Sequence, residues 1–130
     1  MRAVVRPFGE LEAAIMHVVW EHGAPIPVRT IVDRLNEQRD VAYTTVITVA
    51  ERLREKGMLT RVRRGRAFLY EACLSADDYS AELMRQVLNT AESRSATLLR
   101  FAGQLSAQEA ASLRAALADS PEQDAPQKAE

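Results

Sequence analysis

The chain has 130 residues, 47% of them hydrophobic and 27% charged, which is typical of one soluble globular domain with a small appendage. No apolar run reaches the roughly 18 residues that span a bilayer, and no signal-peptide pattern is present, so we expect a cytoplasmic protein. The single cysteine, Cys73, excludes an internal disulfide and a cysteine-only zinc site within one chain.

The net charge of −1 conceals an uneven distribution. Residues 1–72 hold 12 Lys and Arg against 9 Asp and Glu, whereas residues 73–130 hold 5 against 9. Within Arg52–Arg66 there are seven basic residues and one acidic residue, Glu55. Because binding to nucleic-acid phosphates needs only a local basic patch, the overall charge does not exclude it.

Three helices are predicted first in the chain. Apolar residues recur at helical spacing up to residues 22–25, "HGAP", which end the first helix. A second helix, with Pro27 in its first turn, is expected to end near residues 36–40. The third is predicted over residues 42–56, with Gly57 at its end.

The period changes after Gly57, where "MLTRVRRGRAFLYE" alternates apolar and polar residues around Arg64-Gly65. Glycine beside a polar residue between two such runs predicts a tight hairpin. Three helices followed by a hairpin give a mostly α fold with a small β-hairpin, in the order of a winged helix-turn-helix domain.

The second part of the chain is predicted to be helical. One helix opens at residues 75–78 and continues to about Thr90, a short one ends near Gly103, and a capping box of Ser106 and Glu109 opens the last. We therefore divide the chain into a DNA-binding domain at 1–72, a helical dimerisation region at 73–118 and a tail at 119–130. The tail is polar, holds two prolines and is expected to be disordered.

The C-terminal helices carry more apolar side chains than three short helices can bury. A homodimer would cover them, and the alternative is that they fold back on the first domain. The side chains predicted to form the dimer contact are Leu83, Val87, Leu98, Leu99, Phe101, Leu105, Leu113 and Leu117.

The third helix has one apolar face and one unusual polar face. At 100° per residue, Val46, Val49, Ala50 and Leu53 form the core face. The opposite face begins with short hydroxyl side chains, which allow close approach to another surface and can contact bases; these are Thr44, Thr45 and Thr48. Helix capping by Thr44 or Thr45 is the alternative, although it accounts for only one of the three.

Basic side chains flank this face. Arg52, two turns further along, suits a phosphate at the groove edge, and Ile47 lies on the border between the two faces. Arginines around the hairpin can reach flanking phosphates or a minor groove, the alternative being a solvated charged hairpin; they are Arg61, Arg63, Arg64 and Arg66.

Catalysis and metal binding lack a sequence basis. His17 and His22 fall about 140° apart on a helix and do not share a ligand face. No HExxH, GxSxG or P-loop pattern is present, and Cys73, at the end of a predicted strand, is expected to be buried or inert. We therefore expect no enzyme activity, cofactor or metal, and the competing function is a winged helix that binds protein rather than DNA.

Three segments resemble one family of regulators. "AYTTVITVAERLREKGML" with "RVRRGRAFLYE", "GELEAAIMHVVWEHGAPIPVRTIVDRLNE" and "LLRFAGQLSAQEAASLRAAL" are similar to segments of the penicillinase-repressor family, of the BlaI/MecI type. The resemblance covers about residues 8–118. It implies a homodimeric winged-helix repressor of inverted-repeat operators, often of genes for β-lactam resistance or cell-envelope stress.

The resemblance also implies roles for residues. It places base contacts on the three threonines and backbone contacts on Tyr43, Arg52 and the hairpin arginines. It implies inactivation by a membrane sensor-protease signal, with cleavage before Phe101, where Arg100 stands in place of the asparagine of better-known members. A copper-sensing branch uses C-terminal cysteines, and this chain has no cysteine beyond Cys73.

Overall fold

The computed structural model describes residues 7–119, and its elements follow the predicted order closely. They are α1 Glu10–His22, β1 Ile26–Pro27, α2 Val28–Leu35, α3 Tyr43–Glu55, β2 Leu59–Arg64, β3 Ala67–Ala72, α4 Ala76–Asn89, α5 Arg94–Ala102 and α6 Ala107–Ala118. The predicted tail lies, from residue 120 on, outside the described residues. The prediction of a mostly helical winged helix-turn-helix fold is confirmed.

The helices α1, α2 and α3 pack together because each presents one apolar face to a common core. Ile15 and Met16 of α1, Ile31 of α2 and Val46 and Leu53 of α3 are all at most 1% exposed. Burying side chains of this size is the main favourable term in folding such a small domain. The apolar periodicity seen in the sequence therefore fixes which face of each helix points inward.

The sheet has three antiparallel strands in the order β1-β3-β2. Strands β2 and β3 form the predicted hairpin, here called the wing, with Arg64 opposite Ala67 across the turn. Gly65 has a φ of 64°, a left-handed conformation that glycine adopts without steric cost, so its place in the turn has a physical reason.

Strand β1 is an addition to the predicted elements. Ile26 pairs with Tyr70 and Pro27 with Leu69. The prediction that Pro27 lies in the first turn of α2 is wrong, because Pro27 is the extended residue just before that helix, with a ψ of 150°. The fixed φ of proline suits an extended residue as well as a helical one, so its presence alone did not separate the two.

The start of α4 packs against α1 through aromatic rings. Tyr79 is buried and stacks on Phe8 with their ring centroids 4.3 Å apart, and Trp20 lies 5.8 Å from Tyr79. The Trp20 indole Nε1 also donates to the Leu74 carbonyl at 2.8 Å. These contacts fix the first turn of α4 to the three-helix core.

The described part of the chain forms two compact units, the first ending at Gln86 and the second beginning at Val87. The predicted domain boundary after residue 72 remains a prediction. In the second unit, Ser93 caps the N-terminus of α5, and its side chain accepts from the Ala96 backbone N–H. The predicted capping box opens α6, with Ser106 and Glu109 each accepting from the other's backbone N–H.

Candidate nucleic-acid interface

The polar face of α3 has the geometry predicted from its spacing. Val46, Val49, Ala50 and Leu53 are buried. Thr44, Thr45 and Thr48, which we call the threonine face, are exposed. Short side chains along the first two turns leave the helix backbone open to close approach by another molecule.

The capping alternative for these threonines is wrong. The residue that caps α3 is Ala42, and no side chain makes a capping hydrogen bond there. The Thr48 hydroxyl donates instead to the Thr44 backbone carbonyl at 2.9 Å. That bond uses the hydroxyl hydrogen and leaves oxygen lone pairs to accept from a ligand.

A concave surface lies directly in front of the threonine face. This depression has a volume of about 240 Å³ and is lined by the three threonines together with Val49 and Arg52. Arg52 is exposed. The depression combines hydroxyl and methyl groups with one cation, which is the set that contacts base edges and a neighbouring phosphate in a major groove.

Ile47, which the sequence placed on the border between the two faces of α3, contacts both the core and the surface. It is half-buried and packs against the hydrophobic core. Its side chain also lines a larger cleft between α3 and the wing.

This cleft, about 390 Å³ in volume, has aromatic rings covered by arginines on its walls. The Arg29 guanidinium lies 4.8 Å from the centroid of the Tyr43 ring. The Arg61 and Arg63 guanidinium groups lie 4.3 and 5.3 Å from the Phe68 centroid. Each contact is within cation–π range and holds a positive charge over an apolar surface.

Arg29 and Phe68 were missed by sequence reasoning. Arg29 lies on α2, outside the basic segment Arg52–Arg66 in which the DNA-contacting arginines were predicted. Phe68 is 43% exposed, which is high for so large an apolar ring. Its place directly opposite Arg63 in the strand register was the available signal, because cross-strand partners project to the same face of a sheet.

The basic segment divides into cations that are paired and cations that are not. Arg54 and Arg61 form ion pairs with Glu51, and Lys56 forms one with Glu12 at 2.6 Å. Within residues 7–119, four further cations of the segment form no salt bridge: Arg52, Arg63, Arg64 and Arg66. All four were predicted as DNA contacts from the sequence.

Glu51 accepts from three side chains, a group here called the Glu51 network. Arg54 Nε donates to its Oε1 at 3.0 Å and Arg61 Nη1 to its Oε2 at 3.1 Å. The Tyr70 hydroxyl donates to the same Oε2. The network joins α3 to both strands of the wing.

These contacts change the acid–base properties of the network. The hydrogen bond from Arg54, followed by that from Tyr70, holds the pKa of Glu51 below its ordinary value despite some desolvation. Burial and the neighbouring carboxylate raise the pKa of Tyr70 to about 12. At neutral pH the Glu51 carboxylate is therefore ionised, the Tyr70 hydroxyl is neutral, and the two arginines are cationic.

Cys73 was expected to be buried or inert; it lies just after β3 and is exposed, so the first of these two alternatives is wrong. Partial desolvation and the nearby Glu71 raise the pKa of its thiol, which keeps it protonated and poorly nucleophilic at neutral pH. Among the described residues, no three His, Cys, Asp or Glu side chains are grouped so as to hold a metal ion.

No helix in the described part of the chain is long and apolar enough to cross a membrane.

Most of the residues predicted for dimerisation are exposed within the second unit. Leu98, Leu99, Phe101, Leu113 and Leu117 are between 42% and 74% exposed. Leu105 is half-buried. Much apolar area of α5 and α6 is therefore exposed.

The other two predicted dimer residues lie on α4, where their environments differ. Leu83 packs against the core of the first unit, whereas Val87 is 62% exposed. The predicted cleavage site, Arg100-Phe101, lies inside α5 near its C-terminal end, with both side chains exposed.

The three-helix core, the antiparallel wing and the exposed threonine face define a winged-helix transcriptional regulator. The family described as "Penicillinase repressor" matches residues 8–119. The transcriptional regulator BlaI of Mycobacterium tuberculosis is 40% identical over 114 residues, covering 85% of this chain and 83% of that protein. The chain therefore belongs to the penicillinase repressor family, whose members are transcriptional repressors rather than enzymes.

Two solved structures of relatives each match more than half of the chain. One is the solution structure of the Bacillus licheniformis BlaI monomeric form in complex with the blaP half-operator. It has a TM-score of 0.50 and 27% identity over 58% of this chain and 90% of that one. The other, a DNA binding domain of the repressor BlaI, has a TM-score of 0.52 and 26% identity over 61% and 94%.

Proposed function

We propose that this protein is a cytoplasmic, homodimeric transcriptional repressor that binds inverted-repeat operator DNA. The observation that carries the proposal is the exposed threonine face, which lines one depression together with Arg52. Among residues 7–119, the Arg52 guanidinium forms no salt bridge that would compete with a phosphate. A relative whose structure matches 58% of this chain is described in complex with a half-operator. The DNA surface of this chain is proposed on those two grounds.

In the proposed complex the N-terminal turns of α3 enter a major groove. Thr44, Thr45 and Thr48 contact base edges there, with their methyl groups suited to thymine methyl groups. The side chains proposed to contact the sugar-phosphate backbone are Tyr43, Arg52, Arg61, Arg63, Arg64 and Arg66.

The wing arginines differ in how freely they can reach DNA. Arg63 donates its Nε to the Gly65 carbonyl at 3.0 Å, which leaves its other N–H groups available. Arg61 already contacts Glu51, so it can reach a phosphate only with its remaining donors. We therefore assign the larger share of phosphate binding in the wing to Arg63, Arg64 and Arg66.

The second unit supplies the proposed dimer contact. Its exposed leucines and Phe101 are more than a small monomer usually leaves in water, and a second copy of the same surface would cover them. Two winged-helix domains in one dimer would contact the two halves of an inverted repeat.

The proposed regulation follows the family. We propose that the target genes belong to β-lactam resistance or cell-envelope stress and that an upstream signal, sent by a membrane sensor-protease, releases the repressor. Cleavage at Arg100-Phe101 would remove α6 from the rest of the chain and so divide the proposed dimer surface. The peptide bond between Arg100 and Phe101 lies in the last turn of α5, just before Gly103. Only this last turn would need to unwind before a protease could bind the chain in an extended conformation.

Genome-wide mapping of bound sites followed by titration of the recovered duplex tests the proposal. We expect one recurrent inverted repeat, bound more tightly than a scrambled duplex, with affinity that falls as salt concentration rises. Equal binding of both duplexes, or no fall with salt, would contradict it and favour a winged helix that recognises protein instead.

A further inference from the structure

Glu51 is an acidic residue in the middle of a surface that should attract DNA. It lies on α3 one turn beyond Ile47, and its side chain is only 26% exposed. A carboxylate near phosphates is repelled by them, so its presence on this face requires a compensating role.

The strand register explains how Glu51 meets its donors. Arg61 and Tyr70 are paired directly across the β2–β3 ladder, so both side chains project from the same face of the wing. That face is turned toward α3, where both donate to Oε2 of Glu51. One carboxylate oxygen therefore holds both strands of the wing against the helix that carries the threonine face.

The other oxygen of Glu51 engages its own helix. Arg54 donates to Oε1 from three residues further along α3. The network thus places two of the seven cations of the basic segment on Glu51. Each of these guanidinium groups could otherwise bind a phosphate of any DNA sequence.

We propose that Glu51 determines the specificity of DNA binding, by fixing the wing against α3 and holding Arg54 and Arg61 away from phosphates of non-operator DNA. It is a positioning residue and contacts no base. The inference rests on the proposed function, since it concerns how tightly operator and non-operator DNA are distinguished.

Removal of Glu51 has two opposite consequences. The released arginines add phosphate contacts, so affinity for a scrambled duplex rises and its salt dependence steepens by about 1 to 2 in the log–log slope. The wing loses its fixed distance from α3, so the threonine and wing contacts no longer fit one operator geometry. Simple destabilisation would differ, because it lowers affinity for both duplexes.

The test compares three variants of the full chain on an operator duplex recovered by site mapping and on its scrambled form. Glu51→Ala removes the network. Glu55→Ala is the matched control, because it removes the same charge from the next turn of the same helix face, outside the network. Tyr70→Phe removes only the hydroxyl link to the wing and keeps the ring and all charges.

For Glu51→Ala we expect affinity for the scrambled duplex to rise roughly three- to tenfold and the operator-to-scrambled ratio to fall roughly tenfold. Tyr70→Phe should lower the ratio while leaving scrambled-duplex affinity near that of the wild type. Glu55→Ala should raise affinity for both duplexes alike and preserve the ratio.

Unchanged ratios in Glu51→Ala and Tyr70→Phe, or the same fall in Glu55→Ala, would overturn the inference. If circular dichroism shows that Glu51→Ala does not fold, the Tyr70→Phe ratio decides alone. If the wild type itself does not distinguish the two duplexes, the proposed function fails, which is a separate result.

Discussion

Trp20 and Leu74 are joined by a hydrogen bond from the indole Nε1 to the backbone carbonyl, 2.8 Å long and 54 residues apart in sequence. The bond connects α1 to Leu74, two residues before α4. Trp20 also lies 6.3 Å from the Phe8 ring, so the same side chain supports an aromatic cluster. The position therefore combines a polar link with apolar packing at the junction between the core and α4.

Trp20→Phe should destabilise the fold, because it removes the hydrogen bond and leaves the Leu74 carbonyl without its indole donor. We expect the free energy of unfolding to fall by about 1–3 kcal/mol. Urea titration followed by circular dichroism measures it, since the variant lacks the tryptophan signal. Tyr43→Phe, at an exposed ring, is the control and should change stability by less than about 0.5 kcal/mol.

An unchanged unfolding free energy in Trp20→Phe would show that water or another donor replaces the indole at Leu74. DNA affinity of the variant, measured well below its unfolding temperature, should stay near that of the wild type. Trp20 does not line the concave surface at the threonine face or the cleft beside the wing.

Thr48→Glu should abolish specific DNA binding. The added carboxylate would lie in the depression beside Arg52, where it would repel base-edge acceptors and nearby phosphates. Electrophoretic mobility shift with the operator duplex measures the loss, which we expect to exceed roughly 100-fold. The Thr44→Glu, Thr48→Glu double variant should show no specific binding and should still form the dimer.

Thr60→Glu is the matched control for that experiment. Thr60 is exposed on β2 and alternates with Arg61, so it projects from the opposite face of the wing. The affinity of Thr60→Glu for the operator duplex should fall only a few-fold, because the variant adds a negative charge away from the threonine face. Equal loss in Thr48→Glu and Thr60→Glu would place the DNA surface elsewhere.

Much of this surface was predictable from the sequence because helical spacing is local. The rotation of 100° per residue separated Val46 and Val49 from Thr44 and Thr48 without knowledge of the rest of the fold. The hairpin was equally predictable, because alternation and a glycine turn are short-range signals. The three threonines and the arginines at 52, 63, 64 and 66 were accordingly identified from the sequence, although their role on DNA remains a prediction.

The Glu51 network was not predictable in the same way. Glu51 precedes the basic segment by one residue, and its donors Arg61 and Tyr70 lie on two different strands. The predicted hairpin turn could indicate that Arg61 and Tyr70 share a face, whereas tertiary packing alone determines whether that face meets α3. The two-residue strand β1 was missed for a simpler reason, since two residues are too few to show alternation.

The Glu12–Lys56 pair should make stability depend on acid pH. The hydrogen bond from Lys56, followed by that from the Gly9 backbone, lowers the pKa of Glu12 from its ordinary value of 4.5. A carboxyl group with a lowered folded-state pKa binds protons more readily when unfolded. Its contribution is therefore fully present above pH 4.5 and is lost as pH falls through the lower folded-state pKa.

Glu12→Gln should remove that part of the pH dependence. Urea unfolding near pH 7 and near pH 3.5, on either side of the ordinary carboxyl pKa, measures it. The difference between the two pH values should be smaller in the variant than in the wild type. Glu37→Gln, at an exposed residue after α2, serves as the control, and an equal reduction in both variants would contradict the assignment to Glu12.

Leu99→Glu and Leu117→Glu should dissociate the proposed dimer. Leu99 is 74% exposed and Leu117 60% exposed, so each is available to a partner and contributes little to the fold of its own chain. Burying an unpaired carboxylate in an apolar contact costs several kcal/mol, which exceeds what one leucine contact contributes. Sedimentation velocity at a fixed protein concentration should show monomers for both variants and dimers for the wild type.

Two matched controls lie on other faces of the same helices. Arg100→Glu on α5 lies about 160° from Leu98 and about 100° from both Leu99 and Phe101, and Ser112→Glu on α6 lies about 140° from Leu117. Both control variants should remain dimeric. The monomeric variants should also bind a half-operator duplex as the wild type does and lose the added affinity for the full inverted repeat, because one domain still presents an intact threonine face. Dimers that persist in Leu99→Glu and Leu117→Glu would show that the contact lies elsewhere on the chain.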